Sequence, residues 1–329
     1  KARGIGQQIR EDGPRGHVTK AGTPTMGGLV IVAAAVLGYA AGHLRAASRG
    51  HVRVTAVFTT PGLTVIITIL GAAAVGLMDD WIKIRHRRNL GLSKRTKAMG
   101  QLIVGLGFAL LATEWAHVKT DISFVRLSSS SLHLPVGVWD VFAVLVVIAS
   151  TNAVNLTDGL DGLAAGSSAF AFTALAVITF WQFRHPGFYH VPHSANALDL
   201  AMIATGMVGG CTGFLWWNAA PAQIFMGDVG ALAIGGGIAA LCLIANLDLL
   251  LPIIGGLFVL ETLSVMLQVA SFRLFHRRVF RMAPVHHHFE LGGWPETTVI
   301  IRFWILAALC TALAVGIFYY NFISLNSID

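Results

Sequence analysis

Charge is scarce in this chain: only 12% of its 329 residues are Asp, Glu, Lys or Arg, against 55% hydrophobic. With a mean hydropathy of +0.70, that scarcity excludes an ordinary soluble domain and indicates a polytopic membrane protein. Cysteine is nearly absent too. Cys211, Cys242 and Cys310 all lie in apolar stretches without CxxC spacing, which excludes a thiolate zinc site and leaves them to packing. No secretory signal peptide is visible, and neither half of the chain repeats the other, as the halves of inverted-repeat transporters do.

What is present is a series of apolar runs of helical, membrane-crossing length. They predict an all-α bundle, one domain over residues 1–329, with nine spans: Gly27–Leu44, Gly62–Leu77, Met99–His117, Val136–Ala153, Leu163–Phe183, Leu198–Trp217, Val229–Asn246, Leu249–Leu274 and Ile300–Phe322. Pro252, Gly255 and Gly256 predict that the eighth is broken or strongly tilted. If the spans alternate, 16 of the 23 lysines and arginines fall on one side, among them Lys83, Lys97, Arg273 and Arg281. By the positive-inside rule that side is cytoplasmic. The net charge of +7 then reads as topology and as attraction for lipid headgroups or phosphates, not for nucleic acid.

Against this background five carboxylates stand out, Asp79, Asp80, Asp158, Asp161 and Asp228, all at span ends on the basic side. An acid near a bilayer core costs about 3 kcal/mol unless it faces water or a partner, so the grouping predicts one polar, cation-assisted site. Five motifs surround them. Lys20-Ala-Gly-Thr-Pro-Thr-Met-Gly-Gly28 offers a lysine, the hydroxyls of Thr23 and Thr25, and Pro24 suited to a helix's first turn; it reads as a phosphate holder or as a turn leading into the membrane. Asp79 and Asp80 close the second span beside Lys83, which either neutralises them or shares their task. In the stretch Asn152-Ala-Val-Asn155-Leu-Thr-Asp158-Gly159-Leu160-Asp161-Gly162, polar groups recur every third residue and drift round a straight helix. The glycines predict instead a helix end that turns and lines a concave surface with amides suited to a base or sugar. Asn218, Phe225 and Asp228 precede the seventh span; Asp228 suits a helix N-cap or a magnesium ligand, and Phe225 a base-stacking ring. His286, His287 and His288 are consecutive, so they cannot all converge on zinc; hydrogen bonding to phosphate or sugar, or proton transfer, fits better.

Together the sequences Thr-Pro-Thr-Met-Gly-Gly, Asp-Asp-x-x-Lys, Asn-Ala-Val-Asn-Leu-Thr-Asp-Gly-Leu-Asp-Gly, Phe-Met-Gly-Asp and Ala-Pro-x-His-His-His-Phe-Glu resemble the phospho-N-acetylmuramoyl-pentapeptide transferase family of bacterial cell-wall synthesis. The resemblance runs from Lys1 to about Phe322, and the triple histidine separates this family from relatives that transfer N-acetylglucosamine phosphate. It implies ten spans with both ends outside, hence an expectation that the first is missing here. It further implies transfer of phospho-N-acetylmuramoyl-pentapeptide from its UDP carrier (UDP-MurNAc-pentapeptide) to undecaprenyl phosphate at the cytoplasmic membrane face, with Mg²⁺, giving lipid I and UMP. A homodimer is one option for its assembly.

Carried over residue by residue, the resemblance gives Asp228 the metal, and Asp79 and Asp80 the acceptor phosphate or metal side, with Asp79 the candidate base. Lys83 and Lys97 would neutralise phosphate. Lys20, Thr25, Asn152, Asn155, Asp158, Gly159, Leu160, Asp161, Asn218 and Phe225 would form the nucleoside and diphosphate pocket. Gln268 and His286 to His288 would form the opposite wall, with His287 able to move a proton. One position departs from the family pattern: Ala231 stands where a serine is usual, which removes a hydroxyl near Asp228. The basic neighbours of Asp79 favour direct attack by the lipid phosphate over an aspartyl-phosphate intermediate. The rival readings are a transferase for another UDP-sugar and a secondary transporter.

Overall fold

A computed structural model describes residues 22–48, 58–86, 90–125 and 132–326. Among them the chain is a helical bundle: α1 (Gly28–Ser48), α2 (Thr60–Arg85), α3 (Lys94–Leu110), α4 (Val136–Thr157), α5 (Leu163–Arg184), α6 (Ser194–Asn218), α7 (Gly227–Ile244), α8 (Leu251–Ile254), α9 (Gly256–Phe275), α10 (Val285–Glu290) and α11 (Glu296–Asn326). Eight helices are long and apolar enough to cross a membrane, and α1 is the ninth of the expected set, its apolar part being Gly28–Leu44. The break anticipated in the eighth span is real. Pro252 opens the one-turn α8, Gly255 ends it, and α9 restarts at Gly256.

Several local expectations need correction. Helix α2 does not stop at Leu77; it continues to Arg85, because Lys83 pairs with Asp79 one turn back and keeps the polar end helical. Pro24 lies outside α1, which begins at Gly28, so it is not a first-turn proline. Asp228 is inside the first turn of α7 rather than its N-cap, a position held by Met226. Two features were not anticipated: α3 ends in a π-helical turn, Leu111–Trp115, and a two-residue hairpin, β1 (Asp121–Ile122) with β2 (Leu132–His133), bridges to α4.

The bundle is organised around α7, whose first-turn Asp228 is followed by sixteen buried residues, Val229 to Ile244. Its glycines make that possible. A β-carbon at Gly235 would strike the backbone of Ser150 and Thr151 in α4, and one at Gly76 of α2 would strike the backbone of Asp228. Small residues let helix backbones approach closely where lipid gives no hydrophobic drive for association. With α1, α2 and α4 pressed on α7, the end of α2, the end of α4 and the start of α7 meet at one end of the bundle.

The opposite end is held by polar contacts. Asp199 of α6 accepts hydrogen bonds from Tyr39 Oη (2.8 Å), Thr59 Oγ1 (2.7 Å) and Thr59 N (3.0 Å), and lies 2.7 Å from His43 Nε2. This buried knot ties α1 and α6 to the capping residue of α2. Near that end Asp248, between α7 and α8, is 4% exposed, and burial, reinforced by Asp121, raises its carboxyl to about 7. The folded chain therefore holds a proton there that the unfolded chain, with an ordinary carboxyl near 3.9, releases. The stabilisation is fully present below about pH 4 and is lost as pH rises through about 7. Between pH 5 and 8 the thermal midpoint of Asp248→Asn in detergent should fall several degrees less than that of the native sequence. Parallel curves would show that this proton does not contribute.

Candidate active site

Four helices deliver the polar groups of the meeting end. Helix α2 contributes Asp79, Asp80 and Lys83, α3 Lys97 in its first turn, α4 Asn155 in its last, and α7 Asp228 in its first. The carboxylates of Asp79, Asp80 and Asp228 offer oxygens within 4.8 Å of one another. Lys83 Nζ reaches all three, at 2.6 Å from Asp79 Oδ2, 3.2 Å from Asp228 Oδ2 and 3.4 Å from Asp80 Oδ1. Lys97 Nζ lies 2.5 Å from Asp228 Oδ2, and Asn155 Nδ2 donates to Asp228 Oδ1 at 2.9 Å. Three carboxylates against two ammonium groups leave one negative charge over when all are ionised.

The three acids are not equivalent. Asp79 is anchored by Leu92 N (2.8 Å), and Asp80 by Val229 N (3.1 Å), so backbone donors already fix one oxygen of each. Their side chains are 5% and 3% exposed, while that of Asp228 is 14% exposed. Asp228 is thus the acid most open to an incoming ion or phosphate. The glycines nearby are part of the construction: a β-carbon at Gly91 would meet the Asp79 carboxylate, and one at Gly227 the Asp80 carboxylate.

The turn between α4 and α5 forms the next wall, and Gly162 closes it at a φ of +79°. Asp158 is half-buried, and its carboxyl is raised to about 7, first by burial and then by the charges of Asp228, Asp80 and Asp161. At neutral pH it therefore carries its proton much of the time, which lessens repulsion of an anionic ligand. Asn152, one turn before Asn155, donates to Gln101 Oε1 (3.1 Å) and Ile148 O (2.8 Å). The Leu160 side chain is packed among Leu163, Leu257, Val299 and Phe303, which takes it away from a ligand, and its carbonyl accepts from Leu163 N (3.1 Å). Asp161 Oδ2 accepts from Ala222 N (2.9 Å), while Asn218 accepts from Gly162 N (3.0 Å) and donates to Ile224 O (2.8 Å). Asp161 and Asn218 thereby hold the segment that carries half-buried Phe225.

That segment also binds the start of the chain's first motif. Phe225 N donates to Pro24 O (2.7 Å), Gly27 N to Phe225 O (2.9 Å) and Gly28 N to Met226 O (2.9 Å), which sets Thr25 beside Gly227. Lys20 lies outside the described residues. On the other side, Gln268 binds Val279 N, Phe280 N and Phe280 O, so its amide holds the loop before the histidines. His288 Nδ1 accepts from Arg281 N (3.0 Å), and His287 Nδ1 lies 2.6 Å from Glu290 Oε2. His286 is fully buried. The sequence reading missed Glu261 of α9, equally buried and 3.1 Å from His286 Nδ1. Its available signal was a polar stripe, Glu261, Ser264 and Gln268, at helical spacing.

Residues 62–246 match the family described as glycosyl transferase family 4, and residues 20–32 match signature 1 of phospho-N-acetylmuramoyl-pentapeptide-transferase. A protein of that name from Frankia casuarinae is 50% identical, over 98% of this chain and 92% of its own length. Those from Mycobacteroides abscessus and Thermobifida fusca are each 47% identical over 96% of this chain, and over 89% and 90% of their own lengths. With clustered acids and lysines at one end of an apolar bundle, and with half the sequence shared along nearly its whole length, the chain belongs to the phospho-N-acetylmuramoyl-pentapeptide-transferase family.

Proposed function

We propose that this chain transfers phospho-N-acetylmuramoyl-pentapeptide from UDP-MurNAc-pentapeptide to undecaprenyl phosphate, at the cytoplasmic face of the membrane. The observation that carries the reading is the meeting of Asp79, Asp80, Asp228, Lys83 and Lys97 at one end of the bundle. Phosphoryl transfer needs mainly positioning and neutralised phosphate charge, and this cluster supplies both. An oxygen of the lipid phosphate forms a bond to the sugar-bearing phosphorus. The bond from that phosphorus to the bridging oxygen breaks, and the electron pair leaves on UMP. A proton still on the lipid phosphate passes to Asp79, whose Oδ2 is held by Lys83. Attack is direct, with no aspartyl-phosphate, because the lysine beside Asp79 suits that corner to binding a phosphate.

The donor set fits magnesium, which takes oxygen ligands and usually shares one or two carboxylates with substrate phosphates. Asp228, the most open of the three, would hold it, with Asp79 or Asp80 alongside. The chemistry it supplies when bound is withdrawal of charge from the diphosphate oxygens. Lys97 and Lys83 then hold and neutralise phosphate, Asn155 orients Asp228, and Phe225 with the Asp158–Gly159 turn receives the nucleoside. His287, backed by Glu290, stands ready to move a proton on the opposite wall.

The test is transfer of radiolabel from UDP-MurNAc-pentapeptide into a butanol-extractable lipid by purified protein supplied with undecaprenyl phosphate. Labelled lipid is expected with Mg²⁺ and none after chelation. Turnover of UDP-N-acetylglucosamine alone would replace this substrate with another UDP-sugar, and labelling unaffected by chelation would remove the metal.

A further inference from the structure

Three polar residues on one face of α9 hold the segment that leads to the histidines. Gln268 binds Val279 and Phe280, Ser264 Oγ accepts from Val285 N at 3.0 Å, and Glu261 Oε1 lies 3.1 Å from His286 Nδ1. The first two are ordinary loop anchors. The third is different, because both members can carry charge and both are wholly shut from solvent. None of their four side-chain N and O atoms has a well-aligned hydrogen-bond partner. Apolar residues of similar volume commonly replace such a pair at no loss of stability, and an ionisable group within a membrane bundle points to function. The other face of the imidazole meets the nucleotide side. A β-carbon at Gly159 would collide with His286 Nε2, so the ring sits directly against the turn that presents Asp158.

We infer that Glu261 is a positioning residue for the donor site, acting through His286 on the Asp158–Gly159 turn. This rests on the reading above that the turn receives the UDP donor. Glu261 Oε1, 3.1 Å from Nδ1, favours the imidazole N–H on that edge by charge rather than by a well-aligned bond, and limits how far the ring can turn. The ring then sets how far the turn stands from the diphosphate. The lipid acceptor, placed by the Asp79 and Lys83 side, does not depend on this relay.

Steady-state kinetics on the full chain in detergent, with both substrates varied, tests the relay. Glu261→Ala should raise the KM for UDP-MurNAc-pentapeptide by about tenfold or more while the KM for undecaprenyl phosphate stays within about twofold. Glu261→Gln keeps an oxygen to accept the Nδ1 proton and should recover most of the loss. Gly159→Ala, which pushes on the same ring from the other side, should show the same selective effect. Combined with Glu261→Ala it should add less than the sum of the two. Calorimetric titration with UDP follows the same losses without turnover. Unchanged donor KM in both Glu261 variants overturns the inference, as does an equal rise in both KM values. If Glu261→Ala does not accumulate, Gly159→Ala decides it: wild-type donor KM in that variant overturns the inference. Failure of the native chain to bind UDP or to transfer label would instead strike the functional reading.

Discussion

Asp228→Asn should reduce UMP release by about a thousandfold, the loss expected when a preorganised charge at a phosphoryl-transfer centre is removed. The substitution keeps volume and helix geometry, so the loss isolates charge. Asp228 Oδ2 faces the ammonium groups of Lys83 and Lys97, while Oδ1 accepts from the Asn155 amide. A neutral amide has one acceptor where the carboxylate has two. Whichever way it is turned, its NH₂ opposes either two ammonium groups or another amide donor. The most exposed carboxylate of the cluster loses its charge as well, and with it the proposed hold on magnesium. The mismatched amide should lower the thermal midpoint in detergent somewhat, yet the variant should stay folded at the assay temperature, which separates the thousandfold loss from unfolding. A variant retaining a tenth of native activity with the same magnesium requirement would take Asp228 out of the centre.

Sequence and structure agree where the signal is local and disagree where it depends on a neighbour. Apolar runs of sufficient length could only be helices, since backbone N–H and C=O groups in lipid must pair within the segment. Thus the nine apolar helices, eight of them long enough to cross a membrane, were legible from hydropathy, and the break at Gly255 from Pro252, Gly255 and Gly256. Their ends were not. A hydropathy window stops at the first charge, yet α2 stays helical through Asp79, Asp80 and Lys83 because those charges satisfy one another. Asp79, Asp80 and Asp228 were readable as one site because each is an acid at a span end on the same side. Asp161, Asn218 and Gln268 looked alike from the sequence but bind backbone, and only the positions of Ala222, Ile224 and Val279 reveal it. Glu261 was passed over for the same reason: a lone acid in an apolar run has no visible partner until α10 folds against α9.

The first motif shows the same limit and leads to the second large effect, on stability rather than chemistry. Lys20 to Gly28 reads as a phosphate holder or as a turn leading into the membrane, and within it Gly28 serves close packing. Its Cα lies so near Gly230 of α7 that a β-carbon at Gly28 would overlap the Gly230 backbone, and one at Gly230 would overlap Met226 and Gly28. The Gly230 atoms that a β-carbon at Gly28 would meet are backbone of the most buried helix, so no rotamer change relieves that clash, and both helices would have to separate. Separation breaks the bond from Gly28 N to Met226 O and strains its neighbours, from Gly27 N to Phe225 O and from Phe225 N to Pro24 O. Buried overpacking that flexible side chains absorb costs about 1 to 3 kcal/mol, and a backbone collision stands at or beyond the upper end. Gly28→Ala should therefore accumulate poorly in membranes and melt well below the native chain, with activity lost in proportion to folded protein. Gly213→Ala on α6, where a β-carbon meets open space, is the control and should accumulate normally. If Gly28→Ala accumulates and melts like the native chain but no longer transfers label, the motif acts on substrate and the packing account fails.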